Sequence, residues 1–201
     1  MTSEPLTYDE PARAAAAFTV LTVCTGNICR SPAVERLLAD RLGPDSGVTV
    51  VSAGTRAVVG HAVSGPMIPL MEGAGARADG FVARQLTAAA IRDADLILPL
   101  TRSHRSAVAE MFPAAVRRTF TLLELARLAA TVDPTALPDG SPGERLAALV
   151  PLAAAERGRH HSHHKADDDV IDPYRRGDAV YSQVFDTILP AVELVAKIAR
   201  S

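Results

Sequence analysis

Short apolar runs alternate along the chain with longer segments whose apolar residues recur at helical spacing. Four runs rich in β-branched or aliphatic residues predict buried strands: Phe18–Val23, Val48–Ser52, Asp95–Leu98 and Arg118–Thr121. Helices are predicted after them, at 31–42, around 66–73, at 102–111, at 122–130, near 143–156 and through a C-terminal apolar stripe at 180–198. Pro190 lies inside that last stripe and is expected to kink or split its helix.

This alternation predicts an α/β three-layer sandwich, with a four-stranded parallel sheet and helices on both faces. The loop after the first strand runs from Cys24 to Arg30 and would open at the carboxyl end of the sheet, where α/β folds place ligands. Residues 1–16, with prolines, acids and alanines, are expected to form a flexible tail, and 17–201 a single domain. An atypical insertion is expected at about 131–171, since prolines and a histidine-rich tract interrupt the pattern there.

Composition narrows the functional classes. A net charge of −2 gives no broad attraction to nucleic acid. The apolar run at 14–24 is too short to cross a bilayer, which takes about 20 residues, and acids precede it, so neither membrane insertion nor a signal peptide is expected. The two cysteines, Cys24 and Cys29, are too few and too close for a disulfide scaffold, which favours the cytoplasm.

Candidate chemistry lies in the loop Cys24-Thr25-Gly26-Asn27-Ile28-Cys29-Arg30, followed by Ser31-Pro32 at the start of a helix. Backbone N–H groups curled between a strand and a helix N-terminus can bind a phosphate dianion and favour the thiolate form of a central cysteine. Cys24 would attack phosphorus and form a phosphocysteine, and Arg30 would stabilise the transition state by bidentate contact. Ser31 would stabilise the departing sulfur, and no metal or cofactor is required.

A general acid is also needed for the leaving oxygen, and Asp172 is the candidate. Pro173 follows it and restricts its backbone to an extended conformation, which suits a loop that holds a carboxyl group over a site. Asp172 would protonate the leaving phenolate and then deprotonate the attacking water.

With these residues in place, the segment from Val23 to Pro32 resembles the signature of the low-molecular-weight protein-tyrosine phosphatases, in particular their bacterial branch. Asp172-Pro173-Tyr174 resembles the family's general-acid loop, and Ser52-Ala53-Gly54-Thr55, Ala83-Arg84-Gln85-Leu86-Thr87 and Asp95-Leu96-Ile97-Leu98 are similar to further landmarks in the same order. The resemblance implies that Asn27 and Ser52 hold the loop's shape and that Tyr174 lines the substrate cleft. It implies a phosphotyrosine protein as substrate, such as a bacterial tyrosine kinase.

The chain departs from the family pattern at Phe81, where many members carry a histidine, so one polar support of the loop is expected to be missing. Cys29 has two interpretations: packing behind the loop, or capture of oxidised Cys24 as a disulfide. The histidines at 160, 161, 163 and 164 are interpreted as a solvated tract, with metal binding as the alternative.

Two other functions stay open at this stage. An arsenate reductase shares the phosphate loop but needs further cysteines, and only Cys29 is available. A non-catalytic phosphate-binding or redox-sensing protein would keep the loop without turnover. The sequence does not indicate the oligomeric state.

Overall fold

A parallel three-stranded sheet lies at the centre of the protein, in a computed structural model that describes residues 17–159 and 168–201. Its strands are β1 (Phe18–Cys24), β2 (Val48–Gly54) and β3 (Leu96–Pro99), in the order β2-β1-β3. Leu21 of β1 lies opposite Val51 on one side and Ile97 on the other. Since β1 is central, its last residue, Cys24, emerges at the middle of the sheet's carboxyl edge.

Helices cover both faces of this sheet, which confirms the predicted three-layer α/β sandwich. Alternate residues of β1 point to opposite faces, as in any strand. Val20 and Cys24 join the larger apolar core, and Leu21 and Val23 join the smaller one. The α-helices in the described part of the chain are α1 (Arg30–Leu42), α2 (Ile68–Gly73), α3 (Ala88–Asp93), α4 (Arg102–Met111), α5 (Leu122–Ala129), α6 (Pro142–Glu156) and α7 (Asp178–Arg200).

The prediction of a fourth strand at Arg118–Thr121 is wrong. A 3₁₀ helix occupies Pro113–Arg118, so the chain reaches the sheet edge only at Thr119, which forms a single bridge with Ile97. Thr121 is already the N-cap of α5, in a capping box with Glu124. Too few residues lie between the two helices to form a strand, whatever their β propensity.

Pro190 does not split the C-terminal helix, contrary to one form of the prediction. α7 continues through it for 23 residues. A proline removes one backbone hydrogen bond, and here a buried stripe on both sides of Pro190, including Val184, Ile188 and Val195, holds the helix against α1, α5 and α6. α7 is long and apolar enough to span a membrane by length and composition, but this packing is that of a core helix.

Part of the segment 131–171 packs on the core. α6 buries Leu146, Leu149 and Ala153 and lies against α5 and α7. The helix predicted near 143–156 is therefore confirmed, and it forms part of one face of the domain. The predicted tail at 1–16 and the histidines at 160–164 lie outside the described residues.

Candidate active site

Cys24 lies at the base of the loop that joins β1 to α1, with its thiol already surrounded by donors. The N–H of Asn27 donates to Cys24 Sγ at 3.3 Å, and the Ser31 hydroxyl lies 3.0 Å from the same sulfur. Cys24 is only 2% exposed. Donors at hydrogen-bond distance stabilise a negative charge on the sulfur, so this geometry suits a thiolate.

The loop's carbonyls point away from its interior. The carbonyls of Cys24, Thr25, Gly26 and Ile28 accept hydrogen bonds from backbone N–H groups at 55, 56, 58 and 64. In a planar trans peptide the N–H points opposite to the carbonyl. The N–H groups of residues 25, 26, 27 and 29 therefore face inward, and that of Asn27 is the one seen at the sulfur. Such inward amides form an anion-binding nest.

Asn27 holds this loop in shape from behind. Its φ of 54° lies in the left-handed region, which asparagine tolerates better than most residues. Its amide donates to Ser31 Oγ at 2.9 Å and to Ser52 Oγ at 2.7 Å, and its amide oxygen accepts from the N–H of Arg84 at 2.8 Å. Ser52 in turn donates to buried Glu35 of α1. Asn27 and Ser52 thus lie behind the pocket and do not line it.

Gly54, the last residue of β2, allows the close approach of the loop. A Cβ at this position would lie 2.5 Å from the carbonyl oxygen of Thr25 and 3.0 Å from Ala57. Real side chains do not make such contacts with backbone atoms. A residue with any side chain at 54 would therefore push the loop from Cys24 to Arg30 out of its present position.

Arg30 connects the loop to the segment that carries Asp172. The residue is 3% exposed, and its Nη1 donates to the carbonyl of Val170 at 3.1 Å. Its Nη2 lies 2.7 Å from Asp172 Oδ2. The Arg30 Nε is buried and has no hydrogen-bond partner among the described residues. A buried unpaired donor on a cation is costly and calls for an anionic acceptor.

The segment before Asp172 is fixed at three successive residues. Asp168 pairs with Arg127 of α5 at 3.2 Å. Asp169 accepts from the N–H of Arg102 at 2.6 Å, at the first turn of α4, where the helix dipole favours a negative charge. The N–H of Val170 donates to the carbonyl of Leu100, next to β3. These contacts place Asp172 beside Arg30.

The pocket above Cys24 has a volume of about 140 Å³ and a mixed lining. Cys24 and Arg30 lie in it, with Thr25, Gly26 and Cys29 of the same loop, and Asp172 lies on one wall. Ile28, Val58 and Tyr174 supply apolar surface, and Arg56 supplies a charge. The arrangement offers a nucleophile, an anion cradle and a carboxyl group around a space bounded partly by apolar side chains.

Sequence reasoning missed His104, which contacts the loop directly. Its Nε2 lies 2.9 Å from Thr25 Oγ1 and its Nδ1 lies 2.8 Å from Thr101 Oγ1. Burial, helped by the nearby Arg30 charge, lowers the pKa of His104 to about 4. The ring is thus neutral at physiological pH. A histidine in α4 carries no local motif, so only the tertiary contact reveals it.

Cys29 and Phe81 occupy the apolar side of the loop. Burial raises the pKa of the Cys29 thiol, whose sulfur lies 3.6 Å from the Tyr181 hydroxyl; that hydroxyl also contacts Ser64. Phe81 is buried, with the Arg36 guanidinium 5.8 Å from its ring centre. The polar partners of Asn27 are Ser31, Ser52 and the Arg84 backbone, so the loop keeps polar support beside Phe81.

Comparison with known families agrees with this geometry. A sequence model of the family described as low molecular weight phosphotyrosine protein phosphatase matches residues 19–139. The chain belongs to this family. The matched region contains the loop, all three strands and α1–α5, and it ends before the segment that carries Asp172.

Individual members of the phosphatase family resemble the chain over different lengths. The low molecular weight protein-tyrosine-phosphatase Etp of Escherichia coli K12 is 42% identical over 94 residues, which cover 47% of this chain and 62% of Etp. The Erwinia amylovora tyrosine phosphatase AmsI has the same fold, with a TM-score of 0.65 over 92% of this chain and 95% of that one, at 24% identity. The arginine phosphatase YwlE from Geobacillus stearothermophilus matches at a TM-score of 0.63 and 25% identity, over 90% and 91% of the two chains.

Proposed function

We propose that the protein hydrolyses phosphotyrosine esters through a phosphocysteine formed on Cys24. The observation that carries this proposal is the placement of Cys24 Sγ, within 3.3 Å of the Asn27 N–H and 3.0 Å of the Ser31 hydroxyl, in the pocket that Arg30 and Asp172 share. A nucleophile, an anion cradle and a proton donor are the parts that phosphate-ester hydrolysis requires.

The first step is attack of the Cys24 thiolate on phosphorus, with the P–O bond to tyrosine breaking as the S–P bond forms. The inward N–H groups at 25, 26, 27 and 29 bind the equatorial oxygens. Arg30 adds a cation whose Nε lacks a partner among the described residues, and a phosphate oxygen would supply that acceptor. Positioning and electrostatic stabilisation of this kind provide most of the catalysis in phosphoryl transfer. The loop and Arg30 supply the positive potential, so the proposal includes no cofactor.

Asp172 acts in both steps. It gives its proton to the leaving phenolate oxygen and then removes a proton from the water that hydrolyses the phosphocysteine. The carboxylate that pairs with Arg30 at 2.7 Å has no proton to give, so substrate phosphate replaces Asp172 as the partner of the Arg30 guanidinium, and the released carboxyl group carries the proton beside the leaving oxygen. Ser31 stabilises the thiolate that leaves in the second step, since its hydroxyl is already within hydrogen-bond distance of the sulfur.

The pocket walls favour an aryl ester over an alkyl one. Ile28, Val58 and Tyr174 present apolar surface beside the nucleophile, and an aromatic ring would be stabilised there by burial and by the Tyr174 ring. A short phosphoserine side chain would reach few of these groups. We therefore propose phosphotyrosine in a protein as the substrate. The resemblance to the bacterial branch of the family supports a bacterial tyrosine kinase as the proposed partner, and the low cysteine content supports the cytoplasm as the proposed compartment.

An arsenate reductase remains a weaker candidate. That chemistry passes a disulfide to further cysteines, and the chain has only Cys24 and Cys29. The YwlE match makes phosphoarginine a substrate to include in the test.

The deciding experiment is steady-state hydrolysis of para-nitrophenyl phosphate and of phosphotyrosine, phosphoserine and phosphoarginine peptides, in reductant without added metal. We expect turnover of the two aryl esters and its loss in Cys24→Ser, with phosphate binding retained. Wild-type-like activity of Cys24→Ser would refute the phosphocysteine. Preferential turnover of the phosphoarginine peptide would reassign the substrate, and no turnover with phosphate still bound would favour a binding or sensing role.

A further inference from the structure

The arginines around the pocket mouth differ from most others in the protein in having no acidic partner. Most described arginines pair with a carboxylate or donate to backbone carbonyls, as Arg105, Arg118 and Arg157 do. Within residues 17–159 and 168–201, the guanidinium groups that do neither are those of Arg56, Arg117, Arg175, Arg176 and Arg200. Three of these five, Arg56, Arg175 and Arg176, belong to the two loops that form the pocket walls.

These three arginines flank the pocket from two directions. Arg56 follows β2 and lines the pocket itself. Arg175 and Arg176 follow Tyr174, and the Arg175 guanidinium lies 5.3 Å from the centre of the Tyr174 ring. Of the two acids that flank them in sequence, Asp172 is engaged with Arg30, and Asp178, the first residue of α7, forms no salt bridge with either arginine. All three side chains are exposed, so the two loops that supply the pocket walls carry three positive charges on a chain whose net charge is −2.

The backbone conformation at Arg175 indicates that its side chain has a function. Its φ is 59°, in the left-handed region, within a turn closed by the bond from the Arg176 N–H to the Pro173 carbonyl. Glycine is the residue that takes this conformation without strain, and a long side chain there is uncommon. Arginine at this position places a charge beside Tyr174 at a cost in backbone energy.

Apolar side chains lie among these charges. Ile171 and Val59 are 44% and 64% exposed, one on each of the two loops. A surface that mixes exposed apolar groups with unpaired arginines fits an extended peptide better than a bare polyanion, whose phosphates would gain nothing from the apolar part.

We propose that Arg56, Arg175 and Arg176 form a substrate-docking rim that selects acidic peptide segments around the phosphotyrosine. This inference rests on the proposed function and narrows it: the preferred substrate carries Asp or Glu close to the phosphorylated residue. Each exposed charge pair contributes modestly, so we expect about a twofold gain in kcat/KM per arginine and, from the three together, about an eightfold preference for an acidic over a neutral peptide at low salt.

The test compares three phosphotyrosine peptides of equal length whose flanking residues are Glu, Gln or Lys. Phosphate release is measured at about 20 mM and about 500 mM salt, since screening shortens the reach of exposed charges. The variants are Arg175→Gly, which suits the left-handed backbone, Arg176→Gln and the double variant. Arg117→Gln is the matched control, because Arg117 is equally exposed and unpaired among the described residues but belongs to the 3₁₀ helix at Pro113–Arg118.

We expect the order Glu, Gln, Lys in kcat/KM, a smaller difference at high salt, and a loss of most of the Glu-to-Gln ratio in the double variant but not in Arg117→Gln. Equal kcat/KM for the three peptides would overturn the rim, as would an equal effect of Arg117→Gln, which would indicate net charge alone. Inhibition by an RNA oligonucleotide but not by an unphosphorylated Glu-rich peptide would also overturn it. Hydrolysis of none of the peptides would overturn the proposed function and the rim with it.

Discussion

Asp172 is the residue whose role depends most on the chemistry of the substrate. A general acid matters most when the leaving oxygen is a poor leaving group, because a good one departs without a proton. We expect Asp172→Asn to lower kcat for phenyl phosphate by about 100-fold and for para-nitrophenyl phosphate far less. The measurement is kcat for a series of aryl phosphates with graded leaving groups.

The same substitution also removes the ion pair with Arg30, which affects binding. KM reports that effect separately from kcat. Equal loss of kcat across the whole series would contradict an acid role for Asp172 and leave it only a positioning role through Arg30.

Buried His104 is predicted to make the free energy of unfolding depend on pH. Its pKa in the folded state is about 4, below the ordinary value of 6.5. As pH falls through 6.5 the unfolded chain binds a proton that the folded protein does not, so stability is lost between about pH 6.5 and pH 4. The difference between pH 7 and about pH 4.5 amounts to about 2 kcal/mol for this group.

Replacing the histidine removes this contribution. In His104→Gln the free energy of unfolding, measured with urea at both pH values, should fall less on acidification than in the wild type. His61→Gln, at an exposed histidine, is the control and should keep the wild-type slope. An unchanged slope in His104→Gln would show that the ring is not held neutral.

At the scale of elements, the N-terminus of helix α4 helps to position the segment 168–172, which ends at Asp172. Asp169 binds the first-turn N–H of α4, and the hydroxyl of the N-cap, Thr101, contacts His104, which reaches Thr25. One helix N-terminus thus connects the segment 168–172 with the loop from Cys24 to Arg30. Small displacements of reacting groups are costly in rate.

Removing the Asp169 carboxylate should lower kcat in the same way as removing the Asp172 carboxyl group, but by less. We expect Asp169→Ala to lower kcat for phenyl phosphate about tenfold and to affect para-nitrophenyl phosphate less, because the carboxyl group of Asp172 is present but poorly placed. Asp79→Ala, which removes an exposed ion pair with Arg77, is the control. A uniform loss across leaving groups would indicate general destabilisation of the fold.

At the scale of the whole molecule, Arg157 ties the end of α6 to the core. Its guanidinium lies 3.9 Å from the Phe120 ring centre, and its Nε pairs at 3.0 Å with Glu124, a buried carboxylate that also pairs with Arg105. Removing one partner of a buried charge leaves the other poorly compensated. Hence the segment after α5 contributes to the stability of the entire domain.

Arg157→Ala should therefore lower the free energy of unfolding by about 2–3 kcal/mol in urea denaturation. Arg159→Ala, two residues away, removes an exposed pair with Glu156 and should cost less than about 1 kcal/mol. Similar values for the two variants would mean that the Glu124 network adds little to stability.

The sequence alone predicted most of the elements and supplied a candidate chemistry for the site. Cys24, Arg30 and Ser31 lie in one short loop, and strand and helix periodicities are local, so both can be recognised without a structure. The family resemblance, now shown by the match over residues 19–139, rests on the same local motifs. Asp172 became a candidate from the proline that follows it and from the resemblance to the family's general-acid loop, and it lies 2.7 Å from Arg30.

Only the tertiary structure could decide the features that depend on contacts between residues distant in sequence. Thr119 reaches the sheet at a single bridge because two helices leave no room for a strand, and Pro190 is accommodated because packing on three helices outweighs one lost hydrogen bond. His104, Asp169 and the unpaired arginines acquire their significance only from what lies beside them. No periodicity or short motif records such neighbours, because they are set by how distant parts of the chain pack together.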